Sequence, residues 1–276
     1  MSVSTRNVLT IGVIAGLSAG AWLAAARVNA PVAAGPASPE PVVVELFTSE
    51  GCSSCPPADQ FLADLVSAGP SEGINVIPLS EHVDYWNRQG WIDPFSSASF
   101  TERQQRYSTA LTSDVFTPQM VVDGATQVGG NDRAAAIAAI RQAAAAIKLH
   151  ISLTASSDAG KARIHAEFNA DGGAPLPEGD VLLAITEDGL ASSVSAGENK
   201  GHTLTHTGVT RSLEKVGHLK RGQASAAIDA TAAIDGKWSA DHLHVVMFVQ
   251  SKDRGRIVGA ASAPLGGNRP ARLGGR

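Results

Sequence analysis

The first half of the chain alternates between short apolar runs and segments with apolar residues at helical spacing. Residues 42–47 form an apolar, β-branched run typical of a buried strand, and residues 58–68 repeat apolar positions at the period of an α-helix. Further predicted elements are a strand at 75–80, a polar and aromatic helical insertion at 81–110, strands at 119–123 and 126–128, and an Ala-rich helix ending near 147. This order predicts an α/β domain over 41–147.

From residue 148 onward the apolar pattern changes to a period of two. Ala162, Ile164, Ala166 and Phe168 alternate with polar residues, which predicts a half-buried strand. Other strands are predicted at 149–155, 181–186, 203–209, 224–234, 244–250 and 256–261, with Gly, Asn and Asp between them. Short strands with turn signals and little helix predict an all-β, sandwich-like domain over 148–265, followed by a disordered tail at 266–276.

The first forty residues have a different composition from the rest of the chain. Arg6 precedes an apolar run over 8–26 that has no charged side chain, and small residues follow it. This pattern is typical of a secretory signal peptide. An uncleaved anchor is the alternative, since a spanning helix needs at least roughly 17 residues. We therefore expect 1–40 to be a signal peptide or N-terminal anchor plus linker, and the protein to be periplasmic or secreted, with membrane attachment only through this segment.

The charge balance argues against one class of partner. The chain has 22 basic and 26 acidic residues, a net charge of −4, and no basic stripe with interleaved aromatic residues. Nucleic acid is therefore not expected to be a partner.

The chain has two cysteines, and they form a C-x-x-C motif between the first predicted strand and the first predicted helix. Cys52 and Cys55 are too few to cross-link an exported chain of this length. A disulfide between them would close a loop too short to constrain much of the unfolded chain. A redox or metal-binding role is favoured over a purely structural disulfide.

Four segments of the first half carry a resemblance to a known family. They read FTSEGCSSCPPAD, HVDYWNRQGWIDPF, RQQRY and FTPQMVVDG, in this order. Together they resemble DUF1223, a family of exported bacterial proteins with a thioredoxin-like domain. The resemblance implies an α/β thioredoxin-like domain over 41–147, with a helical insertion at 81–110. The predicted fold class is thus an α/β thioredoxin-like domain followed by an all-β, immunoglobulin-like sandwich domain.

The resemblance to thioredoxin-like proteins also implies roles for four residues. Cys52 would be the attacking thiolate and Cys55 the resolving thiol. Thr117 and Pro118 would form a cis-proline turn that faces the cysteines, since a cis X–Pro bond costs only about 0.5–1 kcal/mol relative to trans.

A second group of candidate residues follows the second predicted strand. Parallel strands end at the same edge of a sheet, so Glu81, His82 and Asp84 are expected near the cysteines, where they could transfer protons, with Trp86 beside them. The alternative is that His82 and Asp84 cap the insertion and that Trp86 packs within it.

The second half contains one motif of interest, GENKGHTLTHTGVTR. Glu198, Asn199, His202, His206 and Arg211 could form a partner or ligand surface there; the alternative is that the motif only forms a turn at 199–201. A metal site that adds His242 and His244 is disfavoured, because two histidines four residues apart on one strand stand roughly 13 Å apart.

The leading functional hypothesis is an exported thiol-disulfide oxidoreductase that acts on protein thiols or disulfides. It needs no cofactor beyond the redox-active disulfide. One alternative is a periplasmic metal-binding protein or chaperone, in which Cys52, Cys55 and His82 bind copper or another thiophilic ion. Another alternative is a noncatalytic protein with a structural disulfide.

Overall fold

The computed structural model describes residues 39–69, 75–170, 174–252 and 255–265. The apolar run predicted as a leader and the predicted tail at 266–276 lie outside the described residues. In the part of the chain that is described, no helix has the length and apolarity needed to cross a membrane.

The first half forms the predicted elements with small shifts in their bounds. They are β1 (Val42–Thr48), α1 (Pro56–Ala68), β2 (Val76–His82), α2 (Ala98–Leu111), β3 (Gln119–Val122), β4 (Thr126–Gly129) and α3 (Arg133–Ala144). The Asp132 side chain caps α3 by accepting from the Ala135 N–H. Asp123 and Gly124 both have positive φ, which is the backbone conformation of the tight hairpin between β3 and β4.

The second half consists mainly of strands. They are β5 (His150–Asp158), β6 (Lys161–Asn169), β7 (Gly179–Glu187), β8 (Leu190–Ser193), β9 (Thr203–His206), β10 (Val209–Leu219), β11 (Ser225–Ala233), β12 (Leu243–Ser251) and β13 (Ile257–Pro264). The strand predicted at 203–209 is divided by the turn at Gly208, so that β9 and β10 belong to different sheets.

One mixed sheet contains strands from both halves of the chain. Its eight strands lie in the order β13-β12-β7-β10-β2-β1-β3-β4. β1 and β2 are parallel, and β10 meets β2 in parallel through the pair Val209 and Ser80. A three-stranded sheet, β11-β6-β5, and the β8-β9 hairpin complete the strand pairing of the described residues.

The predicted fold class is therefore wrong. Strands β7, β10, β12 and β13 were expected in a separate immunoglobulin-like sandwich, but they continue the sheet that contains β1 and β2. The physical reason is that the outer edge of β2 is hydrogen-bonded to the second half of the chain. Its Ser80 N–H donates to the Gly208 carbonyl at 2.8 Å, so the edge is closed by a turn far along the chain. The domain boundary predicted near residue 147 stays a prediction.

Four apolar cores of described residues stabilise the sheet, and the two largest hold its two ends. The period-two pattern of β6 buries Phe168 against Leu183 and Met247 of the large sheet. At the other end of the sheet, Phe61 of α1 and Ile140 of α3 belong to a core that also contains residues of β1 and β3. The second core holds the start of α1, and with it the C-x-x-C loop, against the end of β1.

Gly208 allows the turn that closes the β2 edge. Its φ is +63°, and an added Cβ would lie 2.7 Å from the Pro78 Cβ. We expect Gly208→Ala to lower the free energy of unfolding by about 2–3 kcal/mol, because backbone strain and a clash add together. Gly201→Ala is the matched control: its φ is +86°, but no atom lies within 4 Å of the added Cβ. Its expected loss is about 1 kcal/mol. If urea denaturation gave equal losses of unfolding free energy in the two variants, the clash with Pro78 would not contribute to the effect of Gly208→Ala.

Candidate functional site

The two cysteines form a disulfide in the turn between β1 and α1. Their Cα atoms are 5.4 Å apart, and Cys55 is the N-cap residue of α1. Both half-cystines are fully buried, whereas Ser53 and Ser54 between them are exposed. The C-x-x-C loop therefore presents hydroxyl groups to solvent and holds its disulfide inside.

A segment of the second half covers this loop. We call residues 197–201, between β8 and β9, the clamp. The Asn199 side-chain amide donates to the carbonyl oxygens of Glu50 and Cys52, at 2.8 and 3.0 Å. All of these groups are buried, so one side chain satisfies two carbonyls that flank the first cysteine.

A second contact of the clamp is at the surface. The Ser53 N–H donates to Glu198 Oε2 at 2.9 Å. Hydrogen bonding from Ser53 lowers the pKa of Glu198, which favours its ionised, accepting form. On the other side of the clamp, Gly197 packs against Trp91, since an added Cβ would lie 3.3 Å from the Trp91 Cβ. The clamp is thus held to both the C-x-x-C loop and the insertion.

Five buried ionisable side chains meet beside the C-x-x-C loop, and we call them the acid–base cluster. Its members come from the end of β1, the first turn of α1, the end of β2, the insertion and the end of β9: Glu50, Asp59, His82, Asp93 and His206. His82 Nδ1 lies 2.7 Å from Asp93 Oδ2, and His206 Nε2 lies 3.0 Å from Glu50 Oε1. The two imidazole rings meet edge to face with centroids 4.8 Å apart.

Two polar atoms of this region are buried without a partner. Within the described residues, His82 Nε2 and His206 Nδ1 make no hydrogen bond. Each such atom typically costs about 1–3 kcal/mol, and buried polar atoms in native proteins are seldom left in this state. The cluster therefore keeps proton-accepting and proton-donating positions open at a cost in stability.

The pKa values of three members shift in a consistent way. Burial alone would lower the pKa of His82, but the charges of Asp93, Asp59 and Glu50 outweigh it and raise that pKa. Burial opposes ionisation of Asp93, yet His82 and the hydrogen bonds that Asp93 accepts lower its pKa. Burial raises the pKa of Asp59. The shifts of His82 and Asp93 thus favour the charged form of both partners, beside an Asp59 carboxyl whose pKa burial raises.

Because of the His82–Asp93 pair, we expect the free energy of unfolding to depend on pH. Because the folded pKa of His82 lies above its ordinary 6.5, the stabilisation is present below pH 6.5 and is lost as pH rises through the folded value. Asp93 has a folded pKa below its ordinary 3.8, so its contribution is present above pH 3.8 and is lost as pH falls through the folded value.

We expect Asp93→Asn to lower the free energy of unfolding at pH 6 by about 1.5–3 kcal/mol, because a charge-assisted hydrogen bond is lost. The difference between the two proteins should shrink as pH rises from 6 to 9. Urea denaturation at a series of pH values measures it. A difference that stays constant over this range would contradict a charged His82–Asp93 pair.

The predicted proline turn is linked to the C-x-x-C loop through Trp86. The Thr117–Pro118 peptide bond is cis, as predicted. Trp86 Nε1 donates to Thr117 Oγ1 at 2.8 Å. The same tryptophan lies against Gly51, where an added Cβ would be 3.1 Å from the Trp86 Cβ. Trp86 thus connects the residue before Cys52 with the proline turn.

The three polar residues predicted beside the cysteines have different positions. His82 belongs to the acid–base cluster. Asp84 accepts a hydrogen bond from the Thr101 hydroxyl at 2.6 Å, which is the local cap considered as its alternative role. Glu81 belongs to a separate buried network, 3.4 Å from the guanidinium of Arg103.

The histidines of the second half do not come together. His206 is buried beside His82, whereas His202 is exposed and His244 lies 3.4 Å from Asp188. Across the described ranges, no three side chains of the His, Cys, Asp and Glu types are arranged to hold a metal ion. Metal binding by Cys52, Cys55 and His82 stays a prediction. Arg211 lies between the rings of Phe95 and Trp238.

Sequence reasoning missed Asp59 and Asp93. A signal for Asp59 was present: in α1 it lies three residues before Leu62, so it shares the apolar face of the helix. Asp93 carried no such signal, because the insertion has no regular period that would indicate which side chains face inward.

Comparisons with known proteins agree on the family and on the fold. The sequence profile described as "Protein of unknown function (DUF1223)" matches residues 43–250. A crystal structure of a protein from Agrobacterium tumefaciens is 27% identical, with a TM-score of 0.62, covering 83% of this chain and 96% of that one. HBP35 of Porphyromonas gingivalis is 15% identical, with a TM-score of 0.61, covering 86% and 79%. None of the curated proteins compared gives a significant match.

Proposed function

The chain belongs to the DUF1223 family, whose description assigns no activity, and from its own site we propose that it is a thiol-disulfide oxidoreductase acting on protein thiols. The observation that carries this proposal is the position of the Cys52–Cys55 disulfide beside the buried acid–base cluster. Thiol-disulfide exchange needs a disulfide and a source of protons, and one member of the cluster, Asp59, follows Cys55 by one turn of α1.

A purely structural disulfide would not explain this arrangement. Cys52 and Cys55 are separated by only three positions, and closing such a short loop stabilises the folded chain by about 2 kcal/mol. Burying five ionisable side chains costs free energy that a structural disulfide does not require. Perturbed ionisable groups gather at functional sites, and here they gather beside the disulfide.

The proposed exchange runs in two balanced steps. In the reduced protein, the Cys52 thiolate attacks a substrate disulfide, which forms a mixed disulfide and releases one substrate thiolate. The Cys55 thiol then loses its proton and attacks Cys52 Sγ, which forms the Cys52–Cys55 disulfide and releases the second substrate thiolate. Two electrons pass to the substrate, and one proton, that of the Cys55 thiol, leaves the protein to protonate a substrate thiolate; the reverse direction oxidises substrate dithiols.

Asp59 is the cluster member that follows Cys55 by one turn of α1. Its backbone N–H donates to the Cys55 carbonyl at 3.1 Å in the first turn of α1. Burial raises the pKa of Asp59, which brings this carboxyl closer to the proton affinity that a working acid or base needs. We propose that Asp59 accepts the Cys55 proton and that His82 and His206 redistribute the charge.

Access to the disulfide requires the clamp to open. Opening breaks the hydrogen bonds of Asn199 and Glu198 to the C-x-x-C loop and frees two carbonyls and one N–H. An extended substrate segment has the donors and acceptors to take these positions. The protein would work in the periplasm or outside the cell, where disulfides persist, consistent with the leader predicted at 1–40.

The experiment measures the reduction of a disulfide-bonded protein, insulin, by dithiothreitol in the presence of the purified protein. We expect an acceleration of at least tenfold over the uncatalysed reaction and its loss in both Cys52→Ser and Cys55→Ser. Ser67→Ala, which changes an exposed serine of α1 whose hydroxyl donates to the Ala63 carbonyl, keeps both cysteines and serves as the control, with at least half of the activity. A wild-type protein without effect on insulin would contradict the proposal.

The metal-binding alternative is tested on the same samples. Stoichiometric copper or zinc in the reduced wild-type protein, lost in each cysteine variant, would support the alternative of a metal-binding protein instead.

A further inference from the structure

A second site lies away from the disulfide, between α2 and the second half of the large sheet. It is a cavity of about 530 Å³, within the range of roughly 300–1,000 Å³ that small-molecule sites occupy. Arg103 and Arg106 of α2, Lys215 of β10 and Lys252 after β12 contribute four cationic side chains to its lining. Among the described residues of the lining, Asp180 is the single acidic one, in a chain whose net charge is −4.

The floor of the cavity is a rigid, buried network. The Tyr107 hydroxyl donates to Glu45 Oε1 at 2.5 Å and accepts from Arg103 Nη2 at 3.0 Å. Gln250 Nε2 also donates to this hydroxyl, at 2.8 Å. Arg103 Nε donates in turn to Glu45 Oε2. Side chains that are fixed in this way form a site before any ligand arrives, which lowers the entropic cost of binding.

The floor adds no net charge to the cavity. Arg103 is neutralised by Glu45, with which it pairs at 2.5 Å. Burial, and then the charge of Glu45, raise the pKa of Glu81 well above its ordinary value, which favours the neutral form of this carboxyl group. The electrostatic potential of the cavity is therefore set by the side chains at its rim.

The rim is cationic, and its charges are available to a ligand. Lys215 pairs with Asp180 at 2.8 Å and Lys252 lies 3.9 Å from Glu178, but both lysines are more than half exposed. Exposed ion pairs of this kind contribute about 0–1 kcal/mol to stability, so an anionic ligand can replace the carboxylate partner of each lysine. Arg106 makes no ion pair with any residue that the structure describes. Apolar surface is also present, from Leu182 and Ala110.

We propose that this cavity binds a small organic anion, whose carboxylate or phosphate contacts Arg106 and Lys215 while its apolar body packs against Leu182 and Ala110. Arginine and lysine recognise both acidic groups, and the cavity has the volume for a ring-sized body beside them. This site is independent of the proposed thiol-disulfide exchange.

Calorimetric titration of the purified protein with phenyl phosphate and with phenylacetate tests the proposal and distinguishes the two anion classes. Benzyl alcohol is the uncharged control for the apolar body. We expect at least one anion to bind and the alcohol not to bind. Affinity should fall at least tenfold in Arg106→Ala and in Lys215→Ala, both exposed positions, and stay within twofold in Arg141→Ala, an exposed arginine of α3.

Three outcomes would overturn the proposal: neither anion binds, the alcohol binds as well as the anions, or the Arg106 and Lys215 variants bind like the wild type. Binding should be the same in Cys52→Ser, which separates this site from the disulfide.

Discussion

Replacing Asn199 with alanine is expected to raise the rate at which dithiothreitol reduces the Cys52–Cys55 disulfide by roughly 30-fold. The Asn199 amide makes two buried hydrogen bonds to the backbone around Cys52. Each contributes about 1 kcal/mol to the closed state, and about 2 kcal/mol corresponds to roughly 30-fold in the population of the open state. Rapid mixing with excess dithiothreitol, followed by thiol labelling, gives the rate constant.

Asn131→Ala is the matched control for this prediction. The Asn131 amide donates to the Ser54 carbonyl at 2.9 Å, but this bond is exposed. The substitution is again Asn to Ala, and it removes a bond to the same loop without affecting the clamp. Because an exposed hydrogen bond contributes less, the rate of disulfide reduction in this variant should stay within about threefold of the wild-type rate.

The dependence on reductant concentration distinguishes local opening from unfolding. If Asn199→Ala exposes the disulfide through the clamp, the rate should rise in proportion to dithiothreitol, because the clamp recloses faster than the reductant reacts. A rate that levels off at the global unfolding rate constant, or that equals the wild-type rate, would contradict the role of the clamp.

Replacing Arg103 with methionine is expected to lower the free energy of unfolding by about 3–5 kcal/mol. Arg103 lies between two buried carboxyl groups, 2.5 Å from Glu45 and 3.4 Å from Glu81. Methionine keeps much of the side-chain volume but leaves Glu45 without a cation in a buried site. Urea denaturation followed by tryptophan fluorescence measures the loss.

Two further variants separate charge from packing. Arg106→Met changes an exposed arginine in the same helix and should cost no more than about 0.5 kcal/mol. Adding Glu45→Gln to Arg103→Met removes the uncompensated charge and should restore at least half of the lost stability. A loss below 1 kcal/mol in Arg103→Met, or no recovery in the double variant, would show that Arg103 does not compensate these carboxylates.

The local elements around the disulfide could be predicted from the sequence. The apolar run before Cys52 became β1, and the helical spacing after Pro57 became α1, because these patterns depend only on neighbouring residues. The Asp123-Gly124 hairpin followed from the positive φ angles that this dipeptide tolerates.

The long-range pairing of the sheet could not be predicted in the same way. β2 has an outer edge that nothing in residues 75–80 marks as occupied, and its partner β10 begins at Val209. The period-two pattern of the second half indicates strands but not which sheet they join. It was therefore interpreted as a separate sandwich, although four of those strands extend the first sheet.

The site was found only in part for the same reason. Cys52, Cys55 and His82 carry local signals, but the groups that surround them come from distant positions. Asn199 binds the Glu50 carbonyl across 149 positions, and His206 meets the Glu50 side chain across 156 positions. The motif from 197 to 211 was recognised as a candidate surface, whereas its contact with the disulfide loop depends on the β8-β9 hairpin.

The equilibrium redox potential of the Cys52/Cys55 pair, titrated against glutathione in the purified protein with metal analysis of the same sample, tests the central claim most directly. The account predicts metal-free protein with a potential between roughly −120 and −270 mV, the range of working oxidoreductases. A potential below about −300 mV, typical of structural disulfides, or thiols that stay reduced because a metal ion occupies them, would contradict it.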